Sequence, residues 1–379
     1  MIPPEEGEQL GLFPKEATPE PLLCWLWLAH TLGFASPRAE RVVDWCDDPV
    51  RIWEERDSLA FREAAGPSAA RRAVAPGNTP WAFRTVVTQC QRLGIHILTY
   101  DHPDYPLALT RIPDLPLVLY CTGDPSWLNA PNLVGMVGSR RPDNYGRWGA
   151  SSLGQDLARS GVVIVSGLAD GLDSECHQAA VDVHAPTIGV QGVPIDRTYP
   201  ASNRMLRTHI EDYGCVIGEY GPGEEAHVRS SFLQRNRLIA GLVQALVVVQ
   251  AREKSGTMST VGHAERYGRP VYALPGDASR ENSSGTNRLI QTGRAKMILC
   301  AGDLLEQLGL EETAPAPAKA PALSDKERRV LACLKQEPAS LEDLSAGCGL
   351  EAAALSAVLM SLELCGYVKS LPGQRYIRL

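Results

Sequence analysis

The chain has no C-x-x-C pair. Its ten cysteines are scattered from Cys24 to Cys365, so neither a zinc site nor a redox motif is signalled. Reduced thiols in a cytoplasm are the simplest account. No apolar run reaches the roughly 18 residues that suggest a membrane span. The opening MIPPEEGEQL is acidic and lacks the basic start and apolar core of a signal peptide. A cytoplasmic protein with no membrane partner is expected. G-x-G-x-x-G is absent where a dinucleotide site needs it: the glycines there are Gly135, Gly138 and Gly146. A Walker A motif is absent as well. No nucleophile, base and orienter stand together. His177 follows Asp173 and Glu175, but a helix histidine satisfied by a neighbour accounts for it. No catalytic residue, cofactor or metal is expected.

What is present is an ordinary soluble composition, 44% hydrophobic and 21% charged, over 379 residues. That length implies two or three domains. The net charge of −7 argues against nucleic acid until its distribution is read. Residues 1–130 carry 11 basic and 17 acidic side chains, whereas 131–300 carry 18 and 16. The excess of acid lies outside the middle, and a phosphate site is set locally.

The pattern divides the chain into a helical domain (1–100), a proline-rich connector (101–130), an α/β domain (131–312), an Ala/Pro linker (313–322, around PAPAKAP) and a last domain (323–379). Helices are expected over Leu22–Leu32, Ala39–Cys46, Val50–Ala65 and Trp81–Leu93. A small bundle of the SAM or helix-hairpin-helix kind fits them. The connector holds one strand, LVLYC. From Asn132, short apolar strands (NLVGMVG, VVIVSG, PTIGVQG, CVIGEY, ALVVVQ, VYALPG, KMILC) alternate with helices. That alternation implies a Rossmann-like parallel sheet covered on both faces. Three helices, the first with a Ser324–Glu327 capping box, and a hairpin at Pro372-Gly373 give a C-terminal winged helix.

In such a sheet, ligands sit beyond the carboxyl ends of the strands. Those ends carry Gly138-Ser139-Arg140, Ser166-Gly167 and the run Lys254-Ser255-Gly256-Thr257. A further stretch, Arg229–Gln250, holds no acidic residue. Arg229, Phe232, Arg235, Asn236 and Arg237 cluster there, and the Arg-Asn-Arg triplet is read as opening a helix, where anions are favoured. Cations, one ring and glycine turns make a rim for a phosphodiester with a stacking base. The bland alternative is a solvated arginine cluster beside a core phenylalanine.

These residues resemble a known family. VGSR (Val137–Arg140), SGLADGLDSECH (Ser166–His177), DRTYPASNR (Asp196–Arg204), FLQRNRLIAGL (Phe232–Leu242), KSGTMST (Lys254–Thr260), LPGD (Leu274–Asp277) and GTNRLIQTGRA (Gly285–Ala295) follow the order seen in the DNA-processing protein A (DprA/Smf) family. The likeness runs from about Tyr105 to Cys300. It implies a non-enzymatic protein that binds and protects incoming single-stranded DNA. It also implies loading of RecA recombinase onto that strand in natural transformation and recombination, and a homodimer. The implied DNA contacts are Gly138, Ser139, Arg140, Gly167, Arg229, Phe232, Arg235, Asn236, Arg237, Lys254, Ser255, Gly256 and Thr257. Leu289 and Ile290, adjacent apolar residues in a polar stretch, are the implied dimer contacts. Two departures stand out: Asp170 where the family usually has arginine, and Gln250 where it usually has glutamate.

Two other classes fit less well. The cytokinin-activating phosphoribohydrolases share the fold and carry P-G-G-x-G-T-x-x-E, but here Thr260 stands in the place of the glutamate. A double-stranded DNA regulator would read bases with the winged helix. Its recognition segment, Glu351–Cys365, contains no Lys or Arg to meet phosphates. That segment is expected to pack against protein.

Overall fold

A strand that reads Leu-Val-Gly-Met-Val has no polar face to offer water, so both of its faces must be covered. The computed structural model describes residues 18–225, 228–310, 324–334, 339–364, 367–371 and 375–378. The Ala/Pro linker and the Pro372-Gly373 turn lie outside them. Nine strands form the main sheet: β1 (His96–Thr99), β2 (Val118–Gly123), β3 (Leu133–Val137), β4 (Val163–Ser166), β5 (Thr187–Val190), β6 (Cys215–Gly218), β7 (Ala245–Val248), β8 (Val271–Ala273) and β9 (Lys296–Met297). Their order is β1-β2-β6-β5-β4-β3-β7-β8-β9. From β6 to β9 every pairing is parallel. β2 adds to β6 antiparallel, and β1 adds to β2 the same way. The LVLYC segment is therefore an integral strand of the sheet, and β1, which ends a stretch expected to be helical, caps its edge.

The sheet's side chains alternate as the period of two requires. Val134, Met136, Ile164, Val247 and Val249 pack into one core cluster; Leu133, Val137, Val163, Val165, Leu246 and Val248 pack into the other. Helices α7 (Asn144–Arg159) and α8 (Leu172–Asp182) contribute to the first cluster. Helices α9 (Arg204–Tyr213), α10 (Val228–Leu242) and α11 (Thr257–Arg266) contribute to the second. Two more, α12 (Ser284–Gln291) and α13 (Ala301–Leu308), follow β8 and β9.

Ahead of the sheet stand α1 (Pro21–Leu32), α2 (Ala39–Trp45), α3 (Pro49–Glu54), α4 (Leu59–Ala65), α5 (Pro67–Ala73) and α6 (Arg84–Leu93). The expected helix Val50–Ala65 is two helices. Asp48 caps the first, and Ser58 accepts from Phe61 N to start the second. Pro67 starts α5 at its first position, which the sequence reading did not separate. The core of this region is continuous with that of the sheet. Trp27 is fully buried, with its ring centroid 5.0 Å from Trp53 in an edge-to-face pair. Trp27→Ala is expected to cost about 3–5 kcal/mol, the range for emptying a large aromatic site. A chemical denaturation midpoint close to wild type would contradict that.

The C-terminal region has α14 (Asp325–Cys333), β10 (Ala339–Ser340), α15 (Leu341–Cys348), α16 (Ala352–Leu364), β11 (Val368–Leu371) and β12 (Arg375–Arg378). Its three helices and its strand order β10-β12-β11 are those of a winged helix. Ser324 and Glu327 form the expected capping box. Among the described residues, no helix is long and apolar enough to cross a membrane.

Candidate nucleic-acid interface

The strand order reverses at β3, which lies between β4 and β7. Loops leaving β3 and β7 must therefore diverge to opposite sides and open a crevice. A cleft of about 690 Å³ occupies that place. Its floor loops are braced to each other. Ser139 N–H donates to Gln250 O at 2.8 Å, and Thr257 Oγ1 donates to Gly138 O at 3.0 Å. The Gln250 side chain adds to this by donating to Asp143 Oδ1 at 2.9 Å, the carboxylate that caps α7. A glutamate at 250 has no proton to donate there at neutral pH, so the glutamine suits this neighbour.

The cleft brings together Gly138, Ser139, Arg140, Phe232, Arg235, Asn236, Ser255, Gly256 and Thr257 from the expected set. It adds Tyr199, Leu233, Arg252, Asp173 and Thr260, to which the sequence reading assigned no contact. Its lining joins two chemistries. Tyr199, Phe232 and Leu233 supply apolar surface, and Ser139, Arg140, Arg252 and the Ser255–Thr257 turn at the start of α11 supply charge and hydroxyls. Ser255 Oγ is buried with no hydrogen-bond partner among the described residues, and a side-chain carbon at Gly256 would meet open space.

Arg140 is exposed, its guanidinium carbon 5.1 Å from the centroid of the Phe232 ring. Arg235 is different. It is 4% exposed and donates to the carbonyls of Gly167 and Val190. Burial lowers its pKa to about 10 even with Asp173 beside it, so it stays protonated at neutral pH. Asp173 is buried too; desolvation raises its pKa and the Arg235 charge pulls it back. Arg235 is thus a strut of the cleft floor as much as a charge in it. Gly167 does not line the cleft. A side chain there would collide with Asp173 and Arg235, so its glycine is required by their approach.

Arg237 is a clear correction. The triplet does not open a helix: α10 begins at Val228, two turns earlier. Residues two apart on a helix point about 200° apart, so Arg237 faces away from Arg235. It is fully buried and ion-paired with Glu219, outside the cleft. The favourable field of a helix start fades within the first turn and does not reach either arginine. Lys254 is exposed on the loop after β7 and does not line the cleft. The side chain of Arg229 lies outside the described residues. Asp170 is exposed, near Ser202 Oγ at 3.4 Å, and also outside the cleft.

Leu289 is a second correction. It is 2% exposed and belongs to the core, which leaves it no surface for a partner chain. Ile290 is half-buried against the same core.

His177 is fully buried, with Nδ1 2.8 Å from Thr187 Oγ1. Burial pushes its pKa from 6.5 down to about 3. The unfolded chain therefore takes up this proton first. Stability from the neutral imidazole is complete above pH 6.5 and is lost as pH falls toward 3. In melting curves over that window, His177→Gln should show a smaller acid-induced fall than wild type. Identical falls would contradict the assignment.

The chain matches the family model described as DNA recombination-mediator protein A over residues 96–309. It matches the DprA winged helix domain over residues 314–374. It is 31% identical over 394 residues to a protein named Smf from Synechocystis, covering 93% of this chain and 98% of that one. Among solved structures it resembles DNA processing protein A from Streptococcus pneumoniae. That match has a TM-score of 0.64 and 27% identity, and covers 75% of this chain and 97% of that one. It also resembles DNA processing protein A from Helicobacter pylori, described for its unique single-stranded DNA binding mode. There the TM-score is 0.52 with 33% identity, covering 56% of this chain and 95% of that one.

Proposed function

The chain belongs to the DNA recombination-mediator protein A (DprA/Smf) family, and we propose that it binds single-stranded DNA in the cleft beyond β3 and β7. The observation that carries this reading is that one cleft joins aromatic rings to cations and hydroxyls, with the Arg140 guanidinium 5.1 Å from the Phe232 ring. An unpaired strand offers both a base face and a phosphate to the same pocket, whereas a duplex stacks its bases away. Arg140, Arg252 and the Ser255–Thr257 turn take the phosphodiester, and Phe232 takes a base. Binding is then tolerant of sequence and sensitive to salt. A mobility shift with single- and double-stranded oligonucleotides of one sequence tests this. Preference for the single strand supports it; equal retardation of both overturns it.

The same site does not turn over nucleotides. Thr260, 2% exposed, has no carboxylate to offer as an acid or base, His177 is buried and neutral, and Asp173, a carboxylate in the lining, is held beside the Arg235 charge. Incubation with nucleoside monophosphates should release no free base, and release would favour a phosphoribohydrolase.

Protection of incoming DNA, loading of RecA onto it in natural transformation, and a homodimer are proposed from the family membership. With Leu289 in the core, the homodimer surface is better sought around Ile290 and the sheet edge at β9. Met297 and Leu299 are 51% and 63% exposed there.

A further inference from the structure

We propose that Tyr199 is a second base-stacking residue, so that the cleft takes two successive bases, one on Phe232 and one on Tyr199. This rests on the reading of the cleft as a single-stranded DNA site. Tyr199 stands in the loop between β5 and α9 and lines the same cleft as Phe232. The residue is 47% exposed. Its hydroxyl has no hydrogen-bond partner among the described residues. A tyrosine placed for packing buries its ring and bonds its hydroxyl; Tyr199 does neither.

The spacing of the two rings decides how a base can meet them. Their centroids are 5.4 Å apart with planes tilted by 38°. A base inserted between them needs two contacts of about 3.5–4 Å, hence a gap of about 7 Å or more. The pair is too close for that. A base on Tyr199 therefore stacks outside the pair. Phe232 is half-buried with the Arg140 and Arg235 guanidinium carbons 5.1 and 5.7 Å from its ring centroid, whereas Tyr199 is the more exposed of the two. Arg140, exposed and over the Phe232 ring, stands beside this pair, where a linking phosphate would need it. Stacking on a bare ring is tolerant of base identity, which matches a site with few groups aimed at base edges.

The bland alternative is that Tyr199 merely holds Phe232 in place. Fluorescence anisotropy with a labelled oligo-dT strand separates the two. Tyr199→Ala should weaken binding about 5- to 150-fold, the range for one stacked base. Tyr199→Phe should bind as wild type does. The Tyr199→Ala, Phe232→Ala double variant should be weaker than Phe232→Ala by at least several-fold. On an abasic strand of the same length, Tyr199→Ala should match wild type. The assignment is overturned if Tyr199→Ala binds oligo-dT normally. It is also overturned if the variant loses as much on the abasic strand, or if the double variant is no worse than Phe232→Ala. Failure of the wild-type protein to bind oligo-dT would overturn the reading of the cleft as well. A normal Tyr199→Ala defeats only the second ring.

Discussion

Replacing Arg237 by alanine is expected to lower folding stability by about 3–5 kcal/mol, the usual result of stripping one partner from a buried ion pair. Its effect on DNA affinity in the folded fraction should be small. The side chains of Arg237 and Glu219 are 1% and 8% exposed. Arg237 Nε and Nη1 have no hydrogen-bond partner among the described residues, so the charge depends on Glu219 for its compensation. Burial raises the Glu219 pKa while Arg237 pulls it down, so deleting the arginine leaves an acid that desolvation alone controls. A paired replacement separates charge from volume. Arg237→Met with Glu219→Leu should recover most of the loss, because two apolar side chains have no charge to strand. Denaturant midpoints of the three variants provide the check. An Arg237→Ala protein that melts like wild type yet fails to bind DNA would return Arg237 to the binding site.

Phe232→Ala is expected to weaken single-stranded DNA binding by about 1–3 kcal/mol with the melting transition retained. Phe232 is only half-buried and lines the cleft beside Tyr199. Its removal takes away a stacking surface and no charge, so the dependence on salt should be nearly unchanged. Arg235→Ala is a poor substitute for this experiment. It would leave the Gly167 and Val190 carbonyls without their donor and Asp173 without its nearby cation. A loss of binding there would report damage to the floor. Isothermal titration of wild type and Phe232→Ala at two salt concentrations, beside a melting curve, is the check. Unchanged affinity would mean that the base lies elsewhere.

The interior of the sheet could be read in the sequence because covered parallel strands are continuously apolar. VVIVSG and ALVVVQ announce themselves in this way. β1 did not, since four residues following the helix end at Gly94 carry too short a pattern to separate from that helix. Residues at strand ends were found by the topology rule, which is why Ser139, Arg140 and Ser255 fall in the cleft. Arg237 misleads for a geometric reason, while Arg235 lines the cleft as expected. Neighbours in a triplet look equivalent in one dimension, but a helix turns them to different faces. Tyr199 and Phe232 lie on separate elements, and only the folding of the β5–α9 loop against α10 brings their rings together. The sequence signal for Tyr199 is an aromatic residue inside the loop motif DRTYPASNR. Leu289 misled because an apolar residue in a polar stretch marks a core contact as readily as a surface one.

Binding of single-stranded DNA in the cleft depends on Arg140 meeting phosphate. Its most direct test is the slope of log binding constant against log salt for wild type and Arg140→Ala on the same single strand. Each neutralised phosphate on a single strand contributes roughly 0.7 to that slope. The wild type should give a straight line of negative slope, and Arg140→Ala a weaker binding constant with a slope shallower by roughly 0.7. Parallel lines, or full binding by Arg140→Ala at every salt concentration, would contradict it.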